Sequence, residues 1–261
     1  MLIADVALMS KFAHIPSRLS AAGVAVSTAI GGGREEVPDL FIDASFIGAS
    51  VAAMGSGWLP NLAVQPAQAR GRHYVDWLHQ VLPTTELLTL GHSSRDRQRI
   101  LAWMGRHSEA INLWLNVALL QCRRCLVTGT DPRVSILAAP LATEFGLAGL
   151  CMPGSETKPT LIVIDIGRVP PSDWLGLIAH EFAHAWLGRP GHDREFQQVL
   201  NHLCLGLGLP ECPVDWHTTS RSTAEQALRH WPPATILDDA LATWRGDRPL
   251  FELAHGNTTA A

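Results

Sequence analysis

The chain has 261 residues, 47% of them hydrophobic and 17% charged, with a net charge of −4 and a sequence pI near 6.3. That is enough chain to bury a sizeable core in one large domain or two small ones, and too apolar a composition for a disordered protein. Without an excess of positive charge nothing advertises nucleic acid or an anionic membrane, and five cysteines at irregular spacing exclude a disulfide framework and imply reduced thiols, hence a cytoplasmic setting.

The first residues lack a basic start before an apolar run, and Asp5 interrupts the hydrophobic part, so no signal peptide is expected. Gly31–Gly33 is a break. Ala44–Ala69 carries no charge, but two prolines, Asn61 and a Gly-Ser-Gly triplet make it poor hydrocarbon, and no membrane span is expected. From His73, Tyr74, Trp77, Leu78 and Val81 share one helical face, and Pro83 ends that helix. Ser93 or Ser94 caps a longer one, with apolar residues at Ile100, Trp103, Met104, Ile111, Trp114 and Leu115. Gly105 is a candidate break in it. The organisation expected is an Ala/Gly-rich and helical region over 1–105, a second domain over 106–215, and a helical extension with a frayed tail over 216–261.

Past residue 130 the period changes. Val134–Pro140, Phe145–Met152 and Thr160–Ile166 read as strands. Prolines at 170 and 171, with Ser172 or Asp173 as cap, start a helix from Trp174 to Leu187 that Gly188 and Pro190 stop. Further helices follow from Asp193 and over Thr223–Trp231. Helices, then strands, then helices make an α+β domain.

The chemistry concentrates in "LIAHEFAHAWLGRPGHDREF" (Leu177–Phe196). His180 and His184 stand one helical turn apart, so both imidazoles can reach one metal ion. Glu181 projects beside them, able to reach a water on that ion without ligating it. A catalytic zinc needs a third ligand that this helix face cannot supply. His192, past the Gly188–Gly191 turn, is the preferred candidate, with Asp193 and Glu195 as alternatives. The expected reaction is zinc-assisted peptide hydrolysis, with Glu181 as general base and later proton donor to the leaving amine. A donor for the oxyanion is sought among His217, His230, Arg221 and Tyr74. Thr160–Ile166 is either a sheet edge along which a substrate peptide adds as a strand, or an interior strand. The competing class is a non-catalytic binding module for a protein or DNA partner.

These residues resemble the SprT-like zinc metallopeptidases. That family's helix motif H-E-[LF]-x-H-A-W stands here as His180, Glu181, His184, Ala185 and Trp186, and its later H-x-x-x-[FW] as His192 and Phe196. Ala148 and Gly149, in a strand before an apolar strand and the motif helix, also match. The resemblance covers about Ser108 to Pro213. It implies a compact zincin-like fold, zinc ligands at His180, His184 and His192, a base at Glu181, and a protein or peptide substrate. Some family members act on proteins bound to DNA. This chain has no paired C-x-x-C ribbon, and its second and third histidines are closer in sequence than is usual for the family. The metzincin pattern fits less well, since Leu187 and Pro190 stand where it wants glycine and histidine. Peptide deformylases share only H-E-x-x-H and an upstream cysteine, here Cys151.

Overall fold

Two glycines let the first pair of helices cross. In the computed structural model, which describes residues 65–126 and 132–250, α1 (Ala67–Val81) packs against α2 (Ser94–Cys125). A Cβ at Gly71 would stand 1.9 Å from the Leu101 carbonyl oxygen, and one at Gly105 would stand 1.8 Å from that of Ala67. No other residue permits that approach. Gly105 is therefore a crossing point, not a break: α2 runs unbroken for 32 residues, and the expected boundary at 105/106 falls inside it. Helix α1 also begins six residues before His73, directly after Pro66. The expectations for the N-terminal stretch, for 44–64 and for the tail after 250 lie outside the described residues.

Ser93 caps α2, its hydroxyl accepting from the Asp96 amide at 2.9 Å. The buried seam of α2 runs through Ile100, Met104, Ile111, Leu115, Leu119 and Cys122. Trp114, expected on that face, is 59% exposed. On its side of the helix Trp103 is covered by Trp244, at 5.3 Å between ring centroids, but Trp114 stands about 16 Å further along, at 1.5 Å per residue.

Three strands follow: β1 (Val134–Ala138), β2 (Gly149–Met152) and β3 (Thr160–Ile164), in the spatial order β1-β3-β2. β1 is parallel to β3 and β2 is antiparallel to it. Ile162, Val163 and Ile164 are fully buried, so the Thr160–Ile166 run is the interior strand, and a substrate cannot pair with it. β2 forms one edge of the sheet. At the other edge α1 and α2 take up the free polar groups of β1. The Tyr74 hydroxyl donates to the Ala138 carbonyl at 2.7 Å, and the Asn112 side-chain oxygen accepts from the Ala138 amide at 2.9 Å. Tyr74 is thus a core residue pinning β1, 6% exposed and not free to stabilise a reaction. Tyr74→Phe is expected to lower stability by about 1–2 kcal/mol, the cost of an orphaned buried carbonyl, and to leave metal affinity unchanged. Paired thermal melts and metal titrations check this.

Asp165, just past β3, is fully buried. Its carboxylate accepts from the Leu141 amide at 3.1 Å, the Gly167 amide at 3.0 Å and the Trp244 indole at 2.8 Å. It ties the end of the sheet to α6 (Ala240–Arg245). Burial pushes this carboxyl up to about 7, while the Trp244, Gly167, Arg168 and Leu141 groups pull the other way.

Helix α3 (Trp174–Leu187) lies against β2, β3 and α2. Eleven of its fourteen residues are buried, so it is a core helix, apolar nearly all round. A single 3-10 turn, Pro171–Asp173, precedes it. Asp173 stands at the cap position without capping: its carboxylate accepts from Ser172 at 2.9 Å and from the Thr235 amide at 2.7 Å. After Gly188 the chain turns into α4 (Arg194–Gly206), and α5 (Arg221–Arg229) follows. The architecture is mixed α+β. No helix among the described residues is long and apolar enough to cross a membrane.

Candidate metal centre

Helix α3 is held by packing on every side, so the two imidazoles it carries are fixed by the core. His180 is 1% exposed and His184 is 8% exposed. The turn through Gly188 and Gly191 brings the chain back, and His192, 6% exposed, enters from the turn just before α4. Its Nε2 lies 3.1 Å from that of His180 and 3.2 Å from that of His184. Three buried histidines thus present donor atoms that all fall within 4.8 Å of one another, and they could hold a metal ion. Phe196 supports all three rings, with centroid distances of 5.0, 4.4 and 4.8 Å to His180, His184 and His192.

The tautomer of His180 favours ligation. His180 Nδ1 lies 2.7 Å from the Trp231 carbonyl oxygen, which can only accept, so Nδ1 carries the proton and Nε2 the lone pair. Lone pairs 3.1–3.2 Å apart repel unless a proton or cation lies between them. The edge of a tetrahedral zinc site with Zn–N bonds near 2.0–2.1 Å is about 3.3 Å, so the two spacings to His192 fit such an ion, and all three donors fall within 4.8 Å of one another.

Burial also keeps the imidazoles neutral. It lowers His180 to about 4, against the opposing Trp231 bond, and lowers His192 to about 3. His184 is driven well below its ordinary value, by burial first and then by its two histidine neighbours. These folded-state values lie below the ordinary 6.5, so the metal-free protein keeps their stability above pH 6.5 and loses it as the pH falls toward 3. Bound metal is accordingly expected to stay constant from pH 8 to 5 and to fall away below about pH 4. Dialysis at stepped pH with elemental analysis checks this.

Glu181 is 1% exposed and packs on β2. A Cβ at Gly149 would meet its Oε1 at 2.8 Å, which is why glycine occupies that strand position. Neither carboxylate oxygen closes a hydrogen bond; the Cys151 amide is near enough to act electrostatically, without bonding alignment. Burial pushes Glu181 up to about 8, against that amide. An unbonded buried carboxylate is costly unless something else answers it.

The alternative third ligands are otherwise engaged. Asp193 caps α4, its Oδ1 accepting from the Phe196 amide at 3.0 Å, and its Oδ2 takes the Arg189 guanidinium at 2.6 Å. Against the effect of partial burial, these bonds hold its carboxyl below the usual range. Glu195, with its side chain 63% exposed, also pairs with Arg189. Cys151 lies outside the converging donors. Among the residues considered for the oxyanion, His217 is exposed, and Arg221 pairs with Glu225 at 2.7 Å with its side chain 81% exposed. Neither joins the histidines. His230 is near enough to depress His180 and His192, and its buried Nδ1 has no hydrogen-bond partner among the described residues. The Gln226 side-chain amide lies 3.0 Å from its Nε2.

The Trp231 carbonyl was not legible beforehand, because a backbone oxygen 51 residues from His180 leaves no trace in side-chain chemistry. Arg229, close enough to lower His192, was also missed. No family model matches the chain, and no curated protein or solved structure matches it either.

Proposed function

We propose that the protein is a zinc-dependent metallopeptidase with a zincin-like catalytic domain of the SprT-like kind. The observation that carries this reading is the convergence of three neutral imidazole Nε2 atoms beside a buried, unbonded glutamate. Imidazole donors suit zinc, and His180, His184 and His192 would hold it. Zinc in such a site supplies Lewis acidity and a water acidified to about pKa 7.

The chain's own groups supply the rest. Glu181 takes a proton from the attacking water and returns it to the leaving amine. Its raised pKa suits the second task, and a nearby divalent cation lowers it for the first. The Trp231 carbonyl holds His180 in the ligating tautomer. With Gln226 donating to Nε2, His230 carries its proton on Nδ1. An extended substrate would pair with β2, the edge strand on which Glu181 packs.

The test is cleavage of casein by the zinc-loaded full chain, with and without a chelator. Turnover that stops on chelation and returns with zinc is expected. A chain that binds one zinc and cleaves neither casein nor a peptide library would instead be a non-catalytic binding module, and the peptidase reading would be lost.

A further inference from the structure

A groove of about 750 Å³ opens between the N-terminal half of α2 and the turn after α6, and it shares no residue with the histidine site. One wall is a single ridge of α2. Arg95, Arg99, Ala102 and Arg106 line it, and steps of four, three and four residues keep them on one helical face. The facing wall carries Arg245 and Arg248. Trp103 and His107 lie between, with ring centroids 4.8 Å apart. Five guanidiniums thus face one concavity in a chain whose net charge is −4.

Among the described residues two carboxylates answer those five. Asp247 accepts from Arg99 and, at 2.8 Å, from Arg245; Asp239 accepts from Arg245 as well. Exposed pairs of this sort stabilise a fold little. Their effect here is positional: Asp247 joins the two walls and holds a guanidinium on each. Arg95 and Arg106 pair with no carboxylate among the described residues. Among the described residues the groove therefore keeps an excess of positive charge, with part of its lining already oriented.

The chemistry of the lining selects the ligand. A guanidinium presents a planar fork that matches phosphate oxygens. Ala102, Pro249 and Leu250 add an apolar strip alongside the charges, with the buried Trp103 beneath the His107 ring. The volume is that of a small-molecule site, about 300–1,000 Å³. From Arg95 to Arg106 the ridge runs only about 16 Å, and the chain's overall negative charge opposes a long polyanion. We propose that this groove binds a small organic phosphate, its phosphates on the arginines and its organic part on the strip of Ala102, His107, Pro249 and Leu250.

Equilibrium dialysis of ADP against the full chain tests this, with inorganic pyrophosphate and a ten-residue oligothymidylate as competing probes. One saturable ADP per chain is expected. Arg95→Gln combined with Arg106→Gln should weaken it at least tenfold at an unchanged melting midpoint, since both side chains are exposed and pair with no carboxylate among the described residues. If the double variant fails to fold, Arg106→Gln alone should weaken ADP at least threefold. No saturable ADP binding, or binding that ignores these variants, would overturn the proposal. Pyrophosphate binding as tightly as ADP would remove the organic half of the ligand. Tighter binding of the oligonucleotide would replace the small molecule with a nucleic acid.

Discussion

Glu181→Gln is expected to lower peptide turnover by about 1,000-fold while leaving the zinc in place. General acid–base catalysis contributes about 10²–10⁴-fold, and a thousandfold corresponds to about 4 kcal/mol of barrier. Glutamine keeps the size of the side chain, so it still fits against Gly149, where there is no room for a bulkier contact. It cannot take up a proton. The three imidazoles are untouched, because Glu181 shares no hydrogen bond with them. The decisive measurement is turnover beside metal content in the same preparation. A variant with full metal and parental turnover would remove Glu181 from the chemistry. Loss of metal and activity together would make its role one of shaping the site.

His192→Ala is expected to cost more metal affinity than any other single change at α4. Loss of a partner outside the ligand set typically costs 10–100-fold, and loss of a ligand should exceed that. Asp193 and Glu195 are the neighbours that could substitute. Both are held by Arg189, and Asp193 also caps α4, so recruiting either breaks an existing contact. The metal's contribution to stability should vanish with its affinity: a ligand at about 1,000 times its Kd adds about 4 kcal/mol. Chelation should therefore lower the melting midpoint of the parent and leave that of His192→Ala unmoved. A variant that still melts lower on chelation would mean that another group closes the site.

Much of this site was legible because its information is local. Four residues of separation on a helix become one turn of distance, so His180 and His184 converge wherever that helix is placed. The glycine turn at 188–191 sends the chain back, and the next imidazole after it is His192. The helix from Trp174 to Leu187 was legible at both ends, although its cap was not, because Asp173 turns to the Thr235 amide 62 residues away. Tyr74 was misjudged for the same kind of reason. Its chemistry allows it to stabilise an oxyanion, and only the approach of β1 shows that its hydroxyl is spent on Ala138.

The sequence by itself determined the mixed α+β character, the motif helix and three candidate ligands, since periodicity and spacing act over a few residues. Tertiary structure decided which strand lies inside the sheet, that α2 continues through Gly105, and that His192 rather than Asp193 or Glu195 completes the donor set. It also left His217, Arg221 and Tyr74 away from the histidines or otherwise engaged, and brought the Trp231 carbonyl to His180. Each of those outcomes depends on which distant segment takes up a polar group or fills a gap, and no local pattern encodes a partner dozens of residues away.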